Sequence, residues 1–107
     1  MELIFVYITA GSVDEARRIG RALVEERLAA CVNLLPGMTS IYPWEGRIEE
    51  GGEVVMIAKT RAELFDPLAA RVRALHSYTV PCIIELPLGR GNPAYLDWLV
   101  AETAEAK

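Results

Sequence analysis

"EVVMIAKT", residues 53–60, is apolar on both of its alternating faces and carries no proline. A strand of that kind is covered on both sides and can pair along both edges, so it belongs in the middle of a sheet. "ELIFVYIT", residues 2–9, has the same character and is the second candidate for a central strand. The two other extended runs differ. "ACVNLLPGMTSIYPW", residues 30–44, is interrupted by Pro36 and Pro43, and "VPCIIELPL", residues 80–88, is flanked by Pro81 and Pro87. Proline has no N–H to donate to a ladder, so both runs read as edge strands, the longer one bent.

Between the strands the apolar period changes from two to about 3.6. In residues 11–30, Val13, Ala16, Gly20, Leu23 and Val24 recur on one helical face, and Ser12 with Glu15 has the spacing of a capping box. In residues 60–76 the face is Leu64, Leu68, Val72 and Leu75. There Thr60 and Glu63 are expected to cap the start. Pro67 lies too deep for a first turn begun at Arg61, so a kink or restart is expected, with Asp66 as a second cap. Asn92 and Pro93 open a last helix carrying Tyr95, Leu96, Leu99 and Val100. "EGRIEEGG", residues 45–52, reads as the turn between the second and third strands.

The order is β-α-β-β-α-β-α over one domain, residues 1–107. A split βαβ arrangement places the first and third strands centrally, as the prolines do independently. The expected architecture is therefore an α+β, ferredoxin-like β-α-β-β-α-β sandwich on an antiparallel sheet, with an extra C-terminal helix. A chain of this size hides roughly 65% of its unfolded surface, which is a thin core. A hydrophobic fraction of 52% then suggests that other subunits cover some apolar surface.

The net charge of −4 argues against a nucleic-acid or anionic-membrane partner. No apolar run is long enough to span a bilayer, and Glu2 interrupts any leader-like opening. Two cysteines make no disulfide framework, so a cytoplasmic location is expected.

Five motifs occur in order along the chain: "AACVN" (residues 29–33), "SIYPWEG" (40–46), "KT" (59–60), "LHSYTVP" (75–81) and "GNPAYLDWL" (91–99). Together they resemble the CutA divalent-cation tolerance family, from the first strand to the last helix. The resemblance implies a ferredoxin-like subunit in a tight homotrimer, similar in architecture to PII-type signalling proteins, and a link to copper and other divalent cations. The chain departs from the family pattern twice. Ser77 stands where proline is common, and Cys82 stands where a glutamate is usual, so a carboxylate is lost and a thiol gained.

For a soft divalent ion the chain offers Cys31, Cys82 and His76, without CxxC or HxxxH spacing. Cys31 and His76 are the candidate metal ligands, which would have to meet across strands or subunits. The plainer alternative is that the cysteines are small apolar packers and that His76 caps a helix. Lys59, at the end of a central strand, is a candidate anion holder, with Tyr42, Trp44 and Tyr78 as aromatic partners in a cleft. Tyr95 and Trp98 are further aromatics near the last helix, and interface packing is the competing role for all five. "GRGNPA", residues 89–94, mimics a dinucleotide fingerprint, but too little chain follows for a second strand and ribose-binding acid.

No nucleophile elbow or Cys–His pairing motif supplies an enzyme mechanism. The central strands also lack the basic-aromatic pattern of an RNA-binding sheet. The expected function is binding: a homotrimer tied to divalent-cation tolerance, with copper or another divalent cation as ligand. The alternative is a PII-like sensor holding a small anionic metabolite between subunits.

Overall fold

The computed structural model describes residues 2–104. Its elements run β1 (Leu3–Ala10), α1 (Val13–Glu25), β2 (Cys31–Trp44), β3 (Arg47–Arg61), a 3-10 turn (Ala62–Leu64), α2 (Phe65–Leu75), β4 (Ile83–Pro87) and α3 (Pro93–Glu102). All pairings are antiparallel, in the order β2-β3-β1-β4. The strands free of proline are central and those bearing it are edges, because only the former can donate along both sides.

Strand alternation divides the sheet into two unlike faces. Ile4, Val6 and Ile8 of β1 and Val54, Met56 and Ala58 of β3 point toward α1 and α2, where they meet Ala16, Ile19, Leu23, Leu68 and Val72. In α1 the buried face includes Ile19, whereas Val13 and Val24 at its margins stay partly exposed. The opposite face carries Phe5, Tyr7, Val55, Ile57 and Lys59 in the centre, flanked by Ile84 and Leu86 on β4 and by Leu35 on β2. Among the described helices, α3 lies against this second face, at the Phe5–Lys59 end. Leu35, Ile84 and Leu86 remain exposed.

α3 is held there by two arginines. Arg61 is buried; its guanidinium donates to Thr103 Oγ1 (2.7 Å), to the Val100 carbonyl (2.7 Å) and to the Thr103 carbonyl (3.3 Å), and it meets Glu63 at 3.3 Å. Arg27 donates to the Ala101 carbonyl at 2.9 Å, while its own carbonyl accepts from the Ala104 N–H at 2.8 Å. The last carbonyls of a helix lack partners within it, and cations there also meet the negative end of its dipole.

At the other end, β2 and β3 outrun the sheet. β1 pairs with β3 only as far as Ala10↔Val54, so Met38–Trp44 and Arg47–Glu53 continue as a two-stranded ribbon. The expected turn over residues 45–52 is much shorter. It consists of Glu45 and Gly46 with φ of 48° and 78°, a pair of left-handed residues matching the tight hairpin turn that preserves strand twist. Gly51 and Gly52 lie within β3, opposite Ser40 and Thr39, because continuous pairing satisfies more backbone groups than an open loop. Pro36 and Gly37 fall at a register shift between Leu35 and Met38, and Gly37 takes a φ of 87° there.

The start of α2 also differs from expectation. Thr60 does not cap it; the residue is inside β3, and its hydroxyl donates to the Leu28 carbonyl at 2.7 Å. Neither Glu63 nor Asp66 caps it either: the helix restarts after the 3-10 turn with Leu64 at the N-cap and no side-chain cap bond. Pro67 thereby falls in the first turn, where its missing N–H costs nothing. β4 is shorter than the run 80–88, since Val80, Pro81 and Cys82 precede its first pairing at Ile83.

Candidate functional site

The candidate residues fall into two groups at opposite ends of the four-stranded part of the sheet. The first group lies at the base of the ribbon. His76 follows α2 with its side chain fully buried. Its Nε2 lies 2.7 Å from the Thr9 carbonyl and its Nδ1 lies 3.0 Å from the Tyr78 N–H. A carbonyl only accepts and an amide N–H only donates, so these contacts select the tautomer with its proton on Nε2.

Glu15 stands beside this ring, its Oε2 3.9 Å from Nδ1. Ser12 accepts from the Glu15 N–H at 3.2 Å, as a capping box requires, but the Glu15 carboxylate does not return to the Ser12 N–H. It accepts from the Gly11 N–H (3.3 Å) and from the Ser77 N–H (2.7 Å). Burial pushes its pKa upward, but the bonds from Ser77 and Gly11 and the nearby His76 hold it below the usual value. The departure at Ser77 has a structural consequence here, because a proline would have no N–H to give Glu15.

Tyr78 links this group to the ribbon. Its hydroxyl donates to Glu53 Oε2 at 3.0 Å, and the Ser40 hydroxyl donates to Oε1 at 2.6 Å. Burial, followed by the Glu53 carboxylate, pushes the phenol up to about 12, so it stays a donor throughout the neutral range. Burial and then Glu53 also push the Cys82 thiol up, which disfavours its thiolate.

The second group surrounds Lys59. Its ammonium lies 5.4 Å from the Phe5 ring centre and 5.5 Å from that of Tyr95. Phe5 is its register partner on β1, and Cys31 its partner on β2. Tyr42, Trp44 and Tyr78 are not part of this group: Tyr42 and Trp44 are on the ribbon, and Tyr78 is with Glu53. Trp44 stands 60% exposed at the ribbon tip, opposite Arg47. Tyr95 and Trp98 pair on α3 with ring centres 5.6 Å apart.

Comparison with known proteins supplies the context for both groups. The family model for the CutA1 divalent ion tolerance protein matches residues 4–102. The chain belongs to the CutA1 family. It is 54% identical over 98 residues to the divalent-cation tolerance protein CutA of Thermus thermophilus, covering 92% of this chain and 95% of that one. The crystal structure of CutA1 from Oryza sativa superimposes with a TM-score of 0.97 at 42% identity, covering 99% of this chain and 97% of that one. A structure described as the periplasmic divalent cation tolerance protein CutA of Archaeoglobus fulgidus gives a TM-score of 0.88 at 49% identity, covering 91% and 94%.

Within one chain of this CutA1-family protein the donors do not fit a resident metal centre. Cys31 pairs with Lys59, whereas His76 bonds to Thr9, whose register partner is Val55. The offset along β3 is roughly 13 Å at the rise of a strand. Both His76 nitrogens are already engaged, and among the described residues no three His, Cys, Asp or Glu side chains are grouped to hold an ion. Sequence reasoning missed Phe5, Glu15 and Glu53. Phe5 was recoverable from antiparallel pairing of the first and third strands. The meeting of Glu15 with Ser77 joins segments 62 residues apart and left no local signal.

Proposed function

We propose that the chain acts in divalent-cation tolerance as a homotrimeric binding protein without a catalytic step. The observation that carries this reading is the unlike covering of the sheet. One face is packed under two helices, while the other leaves Leu35, Ile84 and Leu86 exposed, and the ribbon adds Ile41, Trp44 and Ile48. A two-stranded ribbon with no third strand beneath it is marginal in water by itself. Apolar surface on this scale is what a large interface between permanent subunits consumes. Three is the copy number implied by the family resemblance. Light scattering at micromolar concentration is expected to give three chain masses, and a mass near one chain would overturn the reading.

Copper or another divalent cation is then cargo met by the assembly, with Cys31 as the available thiol. Cys31 lies beside Lys59 on the second sheet face, partly exposed, whereas the thiolate of Cys82 is disfavoured by burial and by Glu53. Cu(I) affinity, measured by competition with a chromophoric chelator, is expected to fall in Cys31→Ser and to stay unchanged in Cys82→Ser. The reverse pattern would remove Cys31 from the reading. A cytoplasmic location accords with two unpaired cysteines.

A further inference from the structure

One cavity-forming region has no place in that reading. Phe5 on β1, Leu88 to Gly91 in the loop after β4, and Tyr95, Leu96 and Leu99 on α3 line a half-open cavity of about 170 Å³. Its walls are mostly aromatic and aliphatic. Leu99 is fully buried, and Leu96 packs so closely on Gly91 that a Cβ there would come within 3.1 Å of it. The charged groups are cationic. Arg90 lines the cavity, and the Lys59 ammonium, outside the lining itself, lies over the rings of Phe5 and Tyr95 that form one side. Among the described residues neither Lys59 nor Arg90 has a carboxylate within ion-pair distance, and no acidic side chain lines the space.

We propose that this cavity binds a small organic monocarboxylate with a planar or branched apolar body, its carboxylate on Lys59. Every residue named for the site comes from one chain. Size and chemistry select the class. The volume equals that of about five or six liquid waters, well below the clefts that enclose drug-sized molecules or nucleotides. A divalent cation would meet two positive side chains and no carboxylate. A free phosphate would lose its hydration against apolar walls with too few donors to replace it. A monocarboxylate places one charge at the ammonium, where a charge-assisted bond forms, and its body in the apolar space. The rings of Phe5 and Tyr95 also hold the ammonium in place through their faces, which lowers the ordering cost of binding.

The test uses benzoate as probe and uncharged benzamide as its near-isosteric control, with the full-length protein. Calorimetry should show benzoate binding at least tenfold more tightly than benzamide. The amide resonances of Gly89 and Gly91 should move on titration in two-dimensional NMR. Lys59→Met keeps the stem and removes the charge, and it should weaken benzoate roughly tenfold or more while leaving benzamide unchanged. Lys59→Arg, which keeps a cation, should retain part of the preference. Thermal unfolding of each variant checks that the fold is kept. Equal binding of the two probes, unmoved Gly89 and Gly91 resonances, or undiminished benzoate affinity in Lys59→Met would each overturn the proposal. So would a neighbouring chain found filling the cavity in the assembled protein. None of these outcomes alters the light-scattering result, so the two proposals fail separately.

Discussion

β3 passes through two regions that solve the same problem in opposite ways. From Val55 to Lys59 it is paired on both edges and packed under α1 and α2, and just beyond, at Arg61, it is tied to α3 by a buried arginine. From Arg47 to Glu53 it has one partner, no covering helix and exposed apolar neighbours at Ile41, Trp44 and Ile48. The first region satisfies its own backbone and buries its own side chains. The second satisfies its backbone only in part and buries almost nothing. Stability in the first region is therefore a property of one chain, and in the second a property of whatever the ribbon touches.

The contrast is broken most severely at Arg61. Arg61→Met would strip the guanidinium from both carbonyls, leaving Val100 only the Thr103 N–H (3.3 Å) and hydroxyl (3.1 Å) and Thr103 only Arg27 at 3.5 Å, and is expected to cost about 3 to 5 kcal/mol, read from urea unfolding. A loss below about 1 kcal/mol would mean that α3 is not held by this clamp. At the ribbon the expected outcome is of another kind. Trp44→Ala should weaken self-association by about 2 to 4 kcal/mol, the scale of an interface hot spot, with far-UV dichroism unchanged. Tryptophan emission in a Trp98→Phe background checks it independently, since a water-exposed maximum in the assembled protein would show that Trp44 covers nothing.

Gly46 offers a smaller perturbation of the same ribbon. Gly46→Val forces a β-branched residue to a φ of 78° and should cost about 1 to 2 kcal/mol, measured as a drop in assembly rather than in subunit helicity. If helicity falls first, the ribbon is not separable from the packed region.

The smallest effect lies where the two regions meet, at Glu15. Its folded pKa is depressed below the ordinary 4.5, so its stabilising contribution is present above that value and lost as pH falls through the folded pKa. Unfolding of the native protein and of Glu15→Gln should therefore converge as pH drops below about 4.5. A gap that stays constant into acid would show that the carboxylate's charge is not what Gly11 and Ser77 stabilise.

Some of this architecture was legible because its causes are local. Proline removes a donor wherever it stands, so Pro36, Pro43 and Pro87 marked β2 and β4 as edges before any pairing was known. Ser12 and Pro93 marked helix starts for equally local reasons, a side-chain acceptor and a preset φ. The ribbon was misjudged because its glycines carry two opposite meanings. Gly46 turns the chain, while Gly51 and Gly52 merely lie in a strand, and only the pairing with β2 tells them apart.

The sequence by itself therefore determined the order of elements, the central and edge strands, and the membership of the family, since each follows from periodicity, donors lost to proline, or motifs in order. Tertiary structure alone decided which side chains meet. It placed Lys59 with Phe5 and Tyr95 instead of Tyr42, Trp44 and Tyr78. It committed both nitrogens of His76 to the backbone and parted that ring from Cys31. Such meetings depend on register and on the packing of segments far apart in the chain, and a strand's residues carry no mark of the partner opposite them until the sheet closes.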